Sequence, residues 1–168
     1  MIAAVILTEI VNSKSPLSVL VKTLHEARIE RILIVVHSEA EKNMLGWFDG
    51  NILVNGNERE PHSFASIVKG FEATEKTELH GIMVCNEHCL HFSRDMIVDL
   101  LQAFWKSNNN IVLANINGRR SPLPFILENS IVERLTAESF SNGIESVVSR
   151  YPDEVGEVFF TAEGEPQC

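Results

Sequence analysis

The sequence predicts an α/β fold: three α/β/α layers built on a mainly parallel sheet. Two observations carry this. Short apolar runs without polar alternation recur along the chain, as expected of strands buried on both faces. Amphipathic stretches of roughly 10–15 residues separate them, the length of crossover helices joining parallel strands. Such crossovers are right-handed in nearly all cases, so few topologies remain open.

Ile2-Ala-Ala-Val-Ile-Leu7 is the first such run. Ser15-Pro16 reads as a cap with proline in the first turn, and Leu17, Leu20, Val21 and Leu24 follow at helical spacing. Arg31–Val36 is a second buried strand, followed by a helix around Ser38–Leu45 and a short strand at Ile52–Val54. Ser63 to about Thr74 is helical, with Ile67, Val68 and Phe71 on one side. Ile82–Cys85 is a strand, and Ser93 caps a helix that turns Met96, Ile97, Leu100, Leu101 and Phe104 inward. Asn110–Ile116 and Phe125–Leu127 read as strands, Asn129–Leu135 and Asn142–Arg150 as helices, and Val158–Thr161 as a last strand. Residues 1–161 are expected to form one domain, with 162–168 as a frayed tail.

Composition narrows the function classes. The 168 residues carry a net charge of −9, which argues against a duplex nucleic-acid binder. Apolar residues make up 45% of the chain, enough for a globular core. No apolar run reaches the roughly 18–20 residues that span a bilayer. Ile2–Leu7 lacks the basic flank of a signal peptide, and three cysteines (Cys85, Cys89, Cys168) do not make a disulfide framework. A cytoplasmic location without membrane partners is expected.

In open parallel sheets ligands bind beyond the carboxyl ends of the strands, so the segments after each strand are the places to search. Thr8–Lys14 contains no glycine to bring backbone N–H groups close to a phosphate, but Lys14 could attract an anion. Ser66, early in its helix, could meet phosphate or ribose oxygens after a loop bearing Arg59 and His62. Gly70, inside that helix, suggests close packing of another backbone. Glu87, directly after a buried strand, could hold Mg²⁺. Cys85, His88, Cys89 and His91 invite a zinc reading, although C-x₃-C with interleaved histidines matches no common structural zinc pattern. A Cys89–His88 nucleophile pair lacks any feature that would orient the base. Asn117–Pro124 reads as a turn carrying Arg119 and Arg120, two guanidiniums suited to bidentate phosphate recognition. Each cluster also has a plain reading, as a capped helix start, a polar loop or a solvated turn. Trp47-Phe48 serves either the core or a homodimer contact.

Taken in order, these features resemble the nucleotidyltransferase-like proteins that attach GMP or CMP to molybdopterin, of glycosyltransferase-A-type, nucleotide-diphosphate-sugar transferase-like fold. The resemblance spans roughly residues 2–160. Ile6-Leu7 looks like the end of the family's first strand, and Pro16 to Val36 like its first crossover. Ser66-x-x-x-Gly70 matches the Ser-x-x-x-Gly opening of the third helix, beside the nucleotide. Ile82–Glu87 resembles the strand that ends in a metal-binding Asp, with Glu87 in its place. Gly118-Arg-Arg-Ser-Pro-Leu-Pro124 resembles the Gly-Arg-x-x-Pro-Leu turn. The resemblance implies a Mg²⁺-dependent nucleotidyltransferase acting on a nucleoside triphosphate and a phosphorylated small-molecule acceptor. It places Lys14, Arg119 and Arg120 at the phosphates, Ser66 and Gly70 at the nucleotide, and Glu87 at the metal.

The sequence also departs from that pattern. About seven residues without glycine fill the place of the family's glycine-rich loop, and the later Asn-x-Asn-Thr-Pro-Glu-Asp segment has no counterpart before Cys168. Phosphoryl transfer rests on positioning and charge neutralisation, so these departures predict slow turnover or none. A non-catalytic binding or assembly module of the same fold therefore stays open, as does a small-molecule-binding α/β domain unrelated to nucleotides.

Overall fold

Strand β1 (Ile2–Leu7) has no polar side chain, and all six of its residues are buried. It can only be a central strand, and the computed structural model places it there. The structure describes residues 1–8, 15–46, 51–54, 64–74, 78–137 and 143–161. Within them β1 is followed by α1 (Ser15–Glu26), β2 (Ile32–Val36), α2 (Glu39–Leu45), β3 (Asn51–Val54), α3 (Phe64–Glu72), β4 (Gly81–Asn86) and α4 (Arg94–Lys106). Then come β5 (Ile111–Ile116), β6 (Arg119–Glu128), α5 (Asn129–Ala137), α6 (Gly143–Arg150) and β7 (Val155–Phe160).

The strands form one seven-stranded sheet in the order β3-β2-β1-β4-β6-β5-β7. β1 pairs in parallel with β2 (Val5 opposite Leu33) and with β4 (Val5 opposite Val84). Only β6 runs the other way, paired antiparallel with both β4 and β5. The expected parallel α/β architecture is thus observed, with one inserted antiparallel strand.

Alternation along the strands feeds two cores. Ala4, Ile6, Ile34 and Met83 face the side covered by α1 and α4, against Leu20, Leu24, Ile97 and Leu100. Ala3, Val5, Leu7, Val35 and Val84 face α3, α5 and α6, against Ile67, Phe71, Ile131, Val132 and Val147. Each fully buried aliphatic chain contributes about 1.5–3 kcal/mol, so the two faces of β1 tie both helical layers to one strand. Helix starts are set locally: the Ser38 hydroxyl accepts from Glu41 N–H, and the Ser93 hydroxyl accepts from Met96 N–H.

The Asn117–Pro124 turn is corrected. It is a two-residue hairpin turn, with Asn117 at φ 52° and Gly118 at φ 85°, conformations that an Asn-Gly pair adopts readily. Strand follows at once from Arg119, six residues before the expected Phe125 start. Neither Pro122 nor Pro124 can donate to a ladder. Both fall between the paired stretches Asn115–Arg120 and Leu113–Phe125, where no donor is needed. β7 likewise starts at Val155 rather than Val158, its Gly156 and Glu157 having masked an edge strand. The tail 162–168 lies outside the described residues, and among them no helix is long and apolar enough to cross a membrane.

Gly70 also differs from expectation, because its neighbour is a side chain and not a backbone. A Cβ there would lie 2.6 Å from Val5 Cγ1, and Val5 is a β-branched residue locked in the central strand. Overpacking of this kind costs about 1–3 kcal/mol, against a helix-propensity gain of about 1 kcal/mol. Gly70→Ala is therefore expected to lower the urea unfolding midpoint, and to lower it less in a Val5→Ala background than in wild type. A midpoint that rises in the single variant would refute the contact.

Candidate functional site

The strand order locates the site. From β1 the chain moves outward to β2 and β3, then returns to place β4 on the other side of β1. Ligands of open parallel sheets bind outside the carboxyl ends of the strands at such a reversal. Here those ends carry Thr8 after β1 and Asn86-Glu87 after β4, since Leu7 is opposite Asn86 in the parallel register.

Thr8 is buried, and its hydroxyl donates to the Val35 carbonyl at 3.0 Å. His37 follows β2 directly, is 7% exposed, and its Nε2 bonds to the Thr8 carbonyl. Its backbone N–H donates to the Glu41 carboxylate at 2.7 Å. Asn86 is buried, and its amide oxygen accepts from His88 N–H at 3.2 Å and from the Cys89 thiol at 3.3 Å. Glu87 is partly buried in the turn that follows. Ser66 is fully buried near the start of α3, which packs on β1 and β2.

Because β6 is antiparallel, its first residues lie at this same end of the sheet. Leu113 is opposite Phe125, which in turn is in line with Val84 of β4. Asn115 therefore stands at the height of Asn86, two strand spacings away, about 10 Å, and Arg120 of the intervening β6 pairs with it there. The fold thus brings Ser66, Glu87, Arg119 and Arg120 to one edge, although they are far apart in sequence. The two arginines differ. Arg120 Nε donates to Glu157 at 2.6 Å, and a terminal nitrogen lies 3.8 Å from Glu145. Arg119 is exposed and makes no ion pair among the described residues. Glu157 also accepts from the Asn115 amide at 2.7 Å. That hydrogen bond, with Arg120 beside it, holds the Glu157 carboxyl below the usual carboxylate range despite its partial burial.

Lys14, Arg59, His62, Trp47 and Phe48 lie outside the described residues. The cysteine–histidine cluster does not gather as a metal site: among the described residues no three His, Cys, Asp or Glu side chains converge. Cys85 points into the α1/α4 core, where burial pushes its thiol up to about 12, far from the thiolate that zinc needs. Cys89 is buried in the same core, and burial holds the His91 imidazole below its usual value. For a hard cation the described donor set at this edge is one carboxylate, Glu87, since the Asn86 oxygen is already engaged. One carboxylate fits Mg²⁺ that keeps its waters and shares a substrate's phosphates. No motif marks His37 in the sequence; its one signal is its position in His37–Glu39, a segment directly after a buried strand.

Comparison with known proteins agrees with this fold. The MobA-like NTP transferase domain family matches residues 7–155. No curated protein matches the chain significantly in sequence. Among solved structures, Mycobacterium tuberculosis H37Rv Rv0371c in complex with manganese superposes with a TM-score of 0.76 at 12% identity, covering 96% of this chain and 89% of that one. The 4-diphosphocytidyl-2C-methyl-D-erythritol synthase of Anaerococcus prevotii gives 0.68 at 17% identity, over 95% and 88%. CMP:2-keto-3-deoxy-manno-octonic acid synthetase in complex with CTP gives 0.73 at 9% identity, over 99% and 92%. Identities this low speak for the fold alone.

The Cys85 environment makes a pH prediction. A thiol whose pKa rises from 9.0 unfolded to about 12 folded stabilises the fold fully below pH 9 and loses that contribution as pH climbs to 12. Wild type should therefore lose stability over this window more steeply than Cys85→Ala, as read from urea midpoints. Equal slopes would mean that the thiol ionises alike in both states.

Proposed function

The chain belongs to the MobA-like NTP transferase domain family, and from that premise we propose a nucleotidyltransferase-like role. In this reading residues 1–161 act as one unit that binds a nucleoside triphosphate, with CMP or GMP as the group transferred to a phosphorylated, molybdopterin-type acceptor. The observation that carries it is the juxtaposition at the β1/β4 reversal: a carboxylate on β4's end, a buried hydroxyl at a helix start, and a cationic hairpin, all on one edge.

Ser66, with the N-terminal end of α3, holds the nucleotide; Gly70, having no Cβ, lets α3 settle on β1. Glu87 would hold Mg²⁺, which when bound neutralises phosphate charge and orients the triphosphate. Arg119, exposed at the hairpin, meets the phosphates or the acceptor's phosphate as a bidentate donor. Arg120 assists from a fixed position, because Glu157 and Glu145 already hold its guanidinium. Lys14 is assigned to the phosphates through the family pattern. Such chemistry rests on alignment and charge compensation and needs no covalent intermediate on the protein. A non-catalytic role of the same site is supported by the single described carboxylate and by the commitment of Arg120 to two acids.

Millimolar CTP or GTP with Mg²⁺ is expected to raise Tm, because a ligand that binds only the folded chain stabilises it by mass action. Glu87→Ala should remove the Mg²⁺-dependent part of the shift, and Arg119→Ala should weaken it at least several-fold in nucleotide affinity. Arg120→Ala should lower Tm even without nucleotide. No shift with any NTP would sink the reading. A shift without pyrophosphate release in the presence of a phosphorylated acceptor would select the non-catalytic role.

A further inference from the structure

His37 is a buried group for which the assignments above have no use. A carbonyl oxygen can only accept, so the His37–Thr8 contact requires the proton on Nε2. In the neutral ring Nδ1 is then a lone-pair acceptor. Nδ1 is buried and finds no hydrogen-bond partner among the described residues, a condition that buried polar atoms rarely tolerate.

The position of this acceptor is informative. Leu33 and Val35 face the α3 side of the sheet, and His37 follows in the bend just after β2. Gly70 of α3 sits over Val5, which is opposite Leu33. α3 runs back against the strands between β3 and β4, so Ser66, four residues earlier, lies roughly 6 Å nearer the strands' carboxyl ends. That rise equals about two strand residues, which puts Ser66 level with Leu7 and Val35. His37 comes just beyond, against the Thr8 carbonyl at the root of the β1 connection.

We propose that His37 selects the nucleobase: its Nδ1 accepts a hydrogen bond from an amino group on the base. The assignment rests on the nucleotide reading above and adds a ligand chemistry to it. A base that presents a carbonyl at the same place sets two acceptors against each other, and one without the amino group leaves Nδ1 unpaired. Both are disfavoured by the desolvation cost of an unmet buried acceptor. The Thr8 contact holds the ring in the tautomer that makes this discrimination.

The test uses two nucleotide pairs with Mg²⁺ on the full chain, titrated by calorimetry: CTP against UTP, where an amino group becomes a carbonyl, and GTP against ITP, where it is absent. The amino-bearing member of one pair is expected to bind about tenfold tighter. His37→Phe keeps a buried ring at the same place but has no acceptor nitrogen. It should bring that ratio to about one, in part by relieving the penalty on UTP or ITP. A second measurement needs no variant: in ¹⁵N-histidine-labelled wild type, the preferred nucleotide should move the His37 Nδ1 resonance and its partner should not. A ratio near one in both pairs, selectivity retained by His37→Phe, or an unmoved resonance each overturns the assignment while nucleotide binding stands. Absence of binding by all four nucleotides instead overturns the nucleotide reading, and the assignment with it.

Discussion

The pairing of β1 between β2 and β4 is the constraint on which the rest of this protein depends. All six of its residues are buried, so it has neither an edge nor a solvent face. Its odd-numbered side chains lie under α3 and its even-numbered ones under α1. Val5 meets the glycine that lets α3 lie close to the sheet, and Thr8 at its carboxyl end meets His37. Because β2 and β4 flank β1 on opposite sides, the reversal of strand order falls at its end. Stability and the location of the candidate site therefore have the same origin.

The antiparallel strand β6 makes the second contribution. Its insertion between β4 and β5 reverses chain direction, so the hairpin turn Asn117-Gly118 and the arginines after it reach the same edge as Glu87. A purely parallel arrangement would put the start of that strand at the opposite end. The same insertion sets Arg120 beside Glu157 of β7, and the Asn115 amide completes the network. One of two adjacent arginines is thus tied into the sheet's far edge while the other projects outward. That division of labour depends on strand pairing, and no local pattern encodes it.

Legibility in the sequence followed how local each cause is. Ile2–Leu7, Arg31–Val36 and the 93–106 helix were readable because burial on both faces, or on one helical stripe, writes itself into consecutive residues. The arginine-bearing strand was not, because Pro122 and Pro124 argue against a ladder, and only the register shows that they sit where no donor is required. Gly70 stood out as an anomaly in a helix, but its reason is Val5, 65 positions earlier in the chain. The cysteine–histidine cluster looked like chemistry; its two cysteines proved to be core residues, since apolar surroundings hold a thiol protonated.

By itself, then, the sequence determined the class of fold, the run of strands and helices, and the residues whose order resembles a nucleotidyltransferase. These follow from periodicity, capping and short motifs, which act over a few residues. Only the tertiary structure decided which strand lies beside which. With that it decided that Glu87, Ser66 and the arginine hairpin share an edge, and that among the described residues Arg120 is ion-paired while Arg119 is not and His37 keeps an unmatched acceptor beside Thr8. The physical reason is that hydrogen-bonded register and face-to-face packing join residues dozens of positions apart, and a linear pattern carries no record of those partners.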